Sequence, residues 1–76
     1  MEINDFVQNF AAQFDETDAS EFASSTPFHG LEEWSSLTAL SIIAMVDECY
    51  GIKIKGDDIR TAHTIEDLYN VVKSRS

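Results

Sequence analysis

A chain whose only cysteine is Cys49 cannot close a disulfide on itself. His29 and His63 belong to no metal-ligand cluster, so no zinc site replaces the missing cross-link. Seventy-six residues also lie near the lower limit for a self-sufficient hydrophobic core. Side-chain packing alone must therefore hold the fold, and the apolar pattern is the first thing to read.

Ile3, Phe6, Val7, Phe10 and Phe14 recur at steps of three and four. At about 100° per residue they share roughly a third of a helix circumference, one core-facing stripe. This first helix should fade after Phe14, where Asp15-Glu16-Thr17-Asp18 turns polar. From Asp15 to about Ser35 the chain reads as a long loop punctuated by Ser24-Ser25-Thr26-Pro27 and Gly30. Phe22, Phe28, Leu31 and Trp34 are its natural anchors, and Asp18-Ala19-Ser20-Glu21 has the composition of a helical turn. A loop this long is either functional or packed down by its own side chains.

A second helix is expected from about Ser36 to Tyr50, stopped by Gly51. Ile52-Lys53-Ile54 has no strand partner elsewhere and reads as an extended connector that buries two isoleucines. Gly56-Asp57-Asp58-Ile59 suggests a short third helix. Thr64 is a good N-cap for a fourth, with Asp67 completing a capping box and Ile65, Leu68, Tyr69 and Val72 giving the apolar face. The expected fold is all-α: a single domain over residues 1–76, a small four-helix bundle of three longer helices and one short one, with a long first loop.

The second helix has more apolar surface than one core stripe needs. With Leu37 set at 0°, Ala39, Ile42, Ile43, Val46, Cys49 and Tyr50 fall between about 120° and 240°. Cys49 is thereby expected in the core as an inert thiol. Leu37, Leu40 and Ala44 form a separate strip, flanked by Ser36, Thr38, Ser41, Asp47 and Glu48. Either the long loop folds over that strip, or the strip docks a partner; periodicity alone leaves both open.

Charge narrows the partners. The formal net charge is −9, no Lys or Arg precedes Lys53, and all five basic residues lie in the last third. Such a chain repels nucleic-acid phosphates and anionic lipid and favours basic protein surfaces. No basic-plus-apolar leader and no apolar run near the roughly 20 residues of a membrane helix is present. With the lone cysteine, the expectation is a cytoplasmic monomer. Asp15, Glu16 and Asp18 read as a solvated acidic loop, and no metal site is expected.

Ser36 stands at the start of the second helix, where serine is a preferred cap whose hydroxyl satisfies a free backbone N–H. A nucleophilic serine of the hydrolase type is not indicated: Gly-x-Ser-x-Gly is absent and no motif ties either histidine to Ser35 or Ser36. Yet the chain resembles the acyl carrier protein family over its whole length, most strongly from Thr26 to Val72. Trp34-Ser35-Ser36-Leu37 stands where that family has Asp-Ser-Leu. Ala39 to Glu48 looks like its second helix, Tyr50-Gly51-Ile52-Lys53-Ile54 like its aromatic-Gly-Ile-x-Ile segment, and Thr64-Ile65-Glu66-Asp67-Leu68 like the start of its last helix. Phe28 matches the loop phenylalanine.

The resemblance implies a non-catalytic carrier with a phosphopantetheine arm on Ser36, transferred from coenzyme A by a separate phosphopantetheinyl transferase. Acyl or aminoacyl groups would ride as thioesters on the arm and could retreat between the helices. Leu37, Leu40, Ser41, Ala44, Asp47 and Glu48 would face acyl-loading and acyl-processing enzymes with basic docking patches. Ser35 in place of the motif aspartate, uncharged Thr38 and Ser41, and Lys55-Gly56 where many members have proline shift the expected pathway from housekeeping fatty-acid synthesis towards specialised biosynthesis, polyketides included. The alternative is an unmodified acidic helical protein that binds a basic partner through the same second helix.

Overall fold

The computed structural model describes residues 2–76. Among these residues there are four α-helices, α1 (Ile3–Ala11), α2 (Ser36–Tyr50), α3 (Gly56–Thr61) and α4 (Ile65–Ser74), together with 3-10 turns at Ala19–Glu21 and Phe28–Gly30. α1 packs on α4 and α2, and α3 bridges α2 and α4. The expected all-α bundle is thus the observed one.

α1 ends at Ala11, before the expected limit at Phe14. Two short-range bonds, Gln13 N–H to Phe10 carbonyl and Phe14 N–H to Ala11 carbonyl, tighten the chain so that Phe14 still enters the core. Phe6, Phe10, Phe28, Ile42, Val46, Ile65, Leu68 and Val72 are the fully buried side chains at its centre. Complete burial of one such side chain contributes about 1.5–3 kcal/mol, so this cluster supplies what a disulfide would otherwise provide. Phe10 meets Phe14, Phe22 and Phe28 at ring-centroid distances of 5.6, 6.1 and 5.2 Å.

The long loop is packed down by its own anchors. Asp18 accepts the Ser20 N–H at 2.9 Å and starts the first 3-10 turn. Phe22 and Phe28 are buried, and Leu31 and Trp34 pack half-buried against the core. Glu66 and Ile65 at the start of α4 donate their N–H groups to the carbonyls of Ser24 and Thr26 at 2.9 and 3.2 Å. The loop thereby satisfies amides that no helix can satisfy internally.

The connector after α2 buries Ile52 and Ile54. Gly51 takes φ +67°, the left-handed conformation expected of a helix stop, and its N–H bonds to the Asp47 carbonyl at 2.9 Å. Thr64 caps α4 as expected: its Oγ1 accepts the Asp67 N–H at 3.2 Å, and the Asp67 carboxylate accepts the Thr64 N–H at 3.1 Å. Asp58 holds the first turn of α3, accepting the Lys55 N–H at 2.8 Å.

α2 departs from the expected wheel. Its buried residues are Thr38, Ile42, Met45 and Val46, a face turned about 50° from the predicted stripe. Thr38 tolerates burial because its hydroxyl donates to the Glu33 carbonyl at 3.0 Å. Ala39, Ile43 and Tyr50 become the half-buried edge. Cys49 is exposed rather than in the core. Its angular position faces inward, but nothing covers that side of the last turn, while Tyr50, one residue on, packs half-buried against the core beside Phe6.

Candidate functional site

The start of α2 treats its two serines differently. Ser35, not Ser36, is the N-cap: its Oγ accepts the Thr38 N–H at 3.3 Å. Ser35 Oγ also lies 3.2 Å from Thr38 Oγ1. The Thr38 hydroxyl proton is already given to the Glu33 carbonyl, so Ser35 is the donor in that contact. The Ser35 hydroxyl is therefore used twice. Ser36 is the first residue of the helix, exposed, and its hydroxyl makes no hydrogen bond among the described residues. The cap expected at Ser36 is moved one residue back, because the capping residue must be extended (Ser35 has φ −156°, ψ 175°) while Ser36 is already helical.

The approach to α2 is held by Glu33. Its carboxylate accepts the N–H groups of Asp15, Glu16 and Thr17 at 2.8, 3.0 and 2.9 Å and the Thr17 hydroxyl at 2.8 Å. Partial removal from water acts to raise the Glu33 pKa. Those hydrogen bonds, led by that from the Thr17 hydroxyl, outweigh it and leave the carboxyl below its ordinary value. The sequence carries no signal for this knot, since its partners lie 16 to 18 residues away.

Trp34 is a loop anchor as expected, with ring centroids 4.9 Å from Phe28 and 5.3 Å from His29. His29, given no role in the sequence reading, fastens the loop to α3: its Nε2 lies 3.0 Å from the Ile59 carbonyl and 2.9 Å from that of Ala62. Two acceptors around one nitrogen assign the proton to Nε2. His29, Trp34, Ser35, Ser36, Ala39, Gly56, Ile59 and Arg60 line an open groove of about 380 Å³ beside the free serine. A larger cavity, about 830 Å³, runs between α1 and the first 3-10 turn, but neither Ser36 nor any ionisable side chain lines it.

The second apolar strip of α2 is uncovered. Leu37 is 76% exposed and Leu40 61%, so the loop does not fold over them. Ala44, Asp47 and Glu48 are exposed and Ser41 is half-buried on the same helix. Asp47 is held loosely by Lys53 at 3.4 Å. Ser36 and the six residues expected to meet partners thus lie along one solvent-facing length of α2. Among the described residues no group of three or more His, Cys, Asp or Glu could hold a metal ion, and no helix is long and apolar enough to cross a membrane.

The groups present suit an anionic ester at this helix start. One hydroxyl is free of internal bonds, and the first amides of a fifteen-residue helix carry its positive dipole end. Residues 5–72 match the protein family described as phosphopantetheine attachment site. No curated protein and no solved structure matches the chain. Family members of this kind are in general non-catalytic carriers. Because the match runs from within α1 to within α4 and takes in most of the sequence, the chain belongs to the phosphopantetheine attachment-site family, whose carrier domains hold 4′-phosphopantetheine covalently.

Proposed function

We propose that Ser36 is the residue that carries the arm. The observation that supports this reading is the division of labour at the start of α2: the Ser35 hydroxyl is spent on the cap, while that of Ser36 is exposed and uncommitted. In the transfer, Ser36 Oγ forms the new bond to the phosphorus that bears the pantetheine. The adenosine bisphosphate portion of coenzyme A leaves, and the hydroxyl proton passes to the separate transferase.

The carrier then presents acyl or aminoacyl groups, as thioesters on the arm, to the enzymes of a biosynthetic pathway. Leu37, Leu40 and Ala44 are the apolar centre of the docking face, with Ser41, Asp47 and Glu48 as its polar rim. Basic patches on the partner enzymes would meet Asp47 and Glu48, and the −9 net charge steers them together. The N-terminal half of that face carries no acid of its own, which favours a specialised pathway, polyketide-like or aminoacyl, over housekeeping fatty-acid synthesis. A cytoplasmic monomer fits this role.

The test is incubation of the folded chain with coenzyme A and a broad-specificity phosphopantetheinyl transferase, followed by intact mass measurement. One added arm that is lost in Ser36→Ala and kept in Ser35→Ala is the expected result. Addition at Ser35 overturns the residue assignment. No addition with several transferases leaves the same α2 face to an acidic interaction protein.

A further inference from the structure

A phosphodiester on Ser36 would place a permanent negative charge at the mouth of the groove between the start of α2 and α3. Arg60 is the arginine or lysine that lines this groove with Ser36. None of the other lysines and arginines among the described residues lines it. Arg75 is paired with Asp58 through two nitrogens, Lys53 is paired with Asp47, Lys73 lies 5.9 Å from the Tyr69 ring centroid, and Lys55 does not line the groove. His29 Nε2 is committed to two carbonyls.

Arg60 is held by a single contact, Nη2 to Asp57 Oδ1 at 2.8 Å, with both side chains about three-quarters or more exposed. Exposed pairs of this kind contribute only about 0–1 kcal/mol, so Asp57 does not sequester the guanidinium. The rest of its planar fork of donors has no partner among the described residues and matches the oxygens of a phosphate. Arg60 is also anchored in register, because its neighbour Ile59 is buried and fixes that turn of α3.

We propose that Arg60 is a positioning residue that pairs with the phosphodiester at Ser36 and directs the arm out over α3. The inference rests on the reading of Ser36 as the attachment site. It has a consequence for docking: partners meet an arm whose phosphate charge is already partly neutralised, so discrimination by basic patches falls on Asp47 and Glu48.

Phosphorus NMR of the arm-bearing protein tests it. In the native chain the phosphodiester resonance should differ from that of the same protein unfolded in urea, and should move towards the unfolded position as salt is added. Arg60→Gln should bring it to that position in a chain whose circular dichroism is unchanged, and Arg60→Lys should give an intermediate shift. The proton–nitrogen signal of the Arg60 Nε–H should move between the unmodified and arm-bearing forms. An Arg60→Gln arm-bearing chain whose phosphorus resonance stays at the native position, or an Arg60 Nε–H signal that does not move in the native chain when the arm is added, overturns this inference alone. A chain that accepts no arm at Ser36 overturns the inference and the site assignment together.

Discussion

Asp58 and Arg75 form a two-pronged pair, with Nη1 2.6 Å and Nη2 2.7 Å from the two carboxylate oxygens. The same carboxylate accepts the Lys55 N–H. The residue that ends α4 is thereby tied to the first turn of α3, which lines the groove beside Ser36. The Arg75 hydrogen bonds, helped by the Lys55 amide, hold Asp58 below the ordinary carboxylate value of 3.8. Asp18 is lowered by its bond from the Ser20 N–H, Asp67 by the Thr64 and His63 amides, and Glu33 by its hydrogen bonds against partial burial.

These shifts have one sign, and they set an acid limit. A carboxylate with a depressed pKa binds protons less readily folded than unfolded, so its stabilisation is complete above the unfolded value and lost as pH falls through the folded one. The melting temperature should decline from near pH 4.5, the ordinary value for Glu, and more steeply below 3.8, that for Asp. Relief of the net negative charge opposes this, so Asp58→Asn is the necessary comparison. Thermal melts followed by circular dichroism should give a shallower acid slope for Asp58→Asn than for the native chain. Parallel slopes would exclude Asp58 as a source.

The two serines should separate stability from modification. Ser35→Ala removes the cap of α2 and should cost about 1 kcal/mol in urea unfolding, with Ser35→Asp restoring most of it. Ser36→Ala should change stability by less than about 0.5 kcal/mol while abolishing arm addition. Equal stability losses at both positions would refute the assignment of the cap.

Phe28 links the loop to the core. It is fully buried against Phe10 and Trp34, so Phe28→Ala should cost about 3–5 kcal/mol. Native domains of this length are stable by roughly 4–11 kcal/mol, so the variant should be largely unfolded at modest urea. Retention of the native urea midpoint would show that the loop contributes little to the fold.

Gly51 needs its conformation rather than its space. A Cβ there would meet nothing within 4 Å, yet φ is +67°. Gly51→Ala should therefore cost about 1–2 kcal/mol through backbone strain, and Gly51→Asn less. Urea midpoints for the three chains check the order.

The docking face should be separable from the fold. Leu37 and Leu40 are exposed, so Leu40→Arg should leave the urea midpoint within about 0.5 kcal/mol of native. It should lower kcat/KM for arm transfer at least tenfold, about 1.4 kcal/mol. Unchanged transfer kinetics would remove Leu40 from that interface.

The helices were legible because their signals are local. Gly51, the Thr64–Asp67 box and the Ile65–Val72 stripe each act within a turn or two, and the bounds of α2 and the cap of α4 fall where those signals place them. The side of α2 that enters the core was not legible. Burying Thr38 depends on the Glu33 carbonyl, which periodicity does not describe. Exposure of Cys49 reflects which side of the last turn the rest of the chain covers, which an angular projection does not contain. The His29 and Glu33 contacts escaped for a third reason: they join the loop to segments far along the chain. Leu37 and Leu40 stood out in the sequence as surplus apolar surface, and only the packed loop reveals that nothing within residues 2–76 covers them.

The His29 bond to α3 has a mechanical consequence. Its backbone neighbour Phe28 lies at 0% exposure in the core, while its Nε2 grips the carbonyls of Ile59 and Ala62. α3 is therefore tied to the loop, and parting the two requires either that the imidazole lets go or that Phe28 moves with it. Widening the groove beside Ser36 by moving α3 would cost this hydrogen bond.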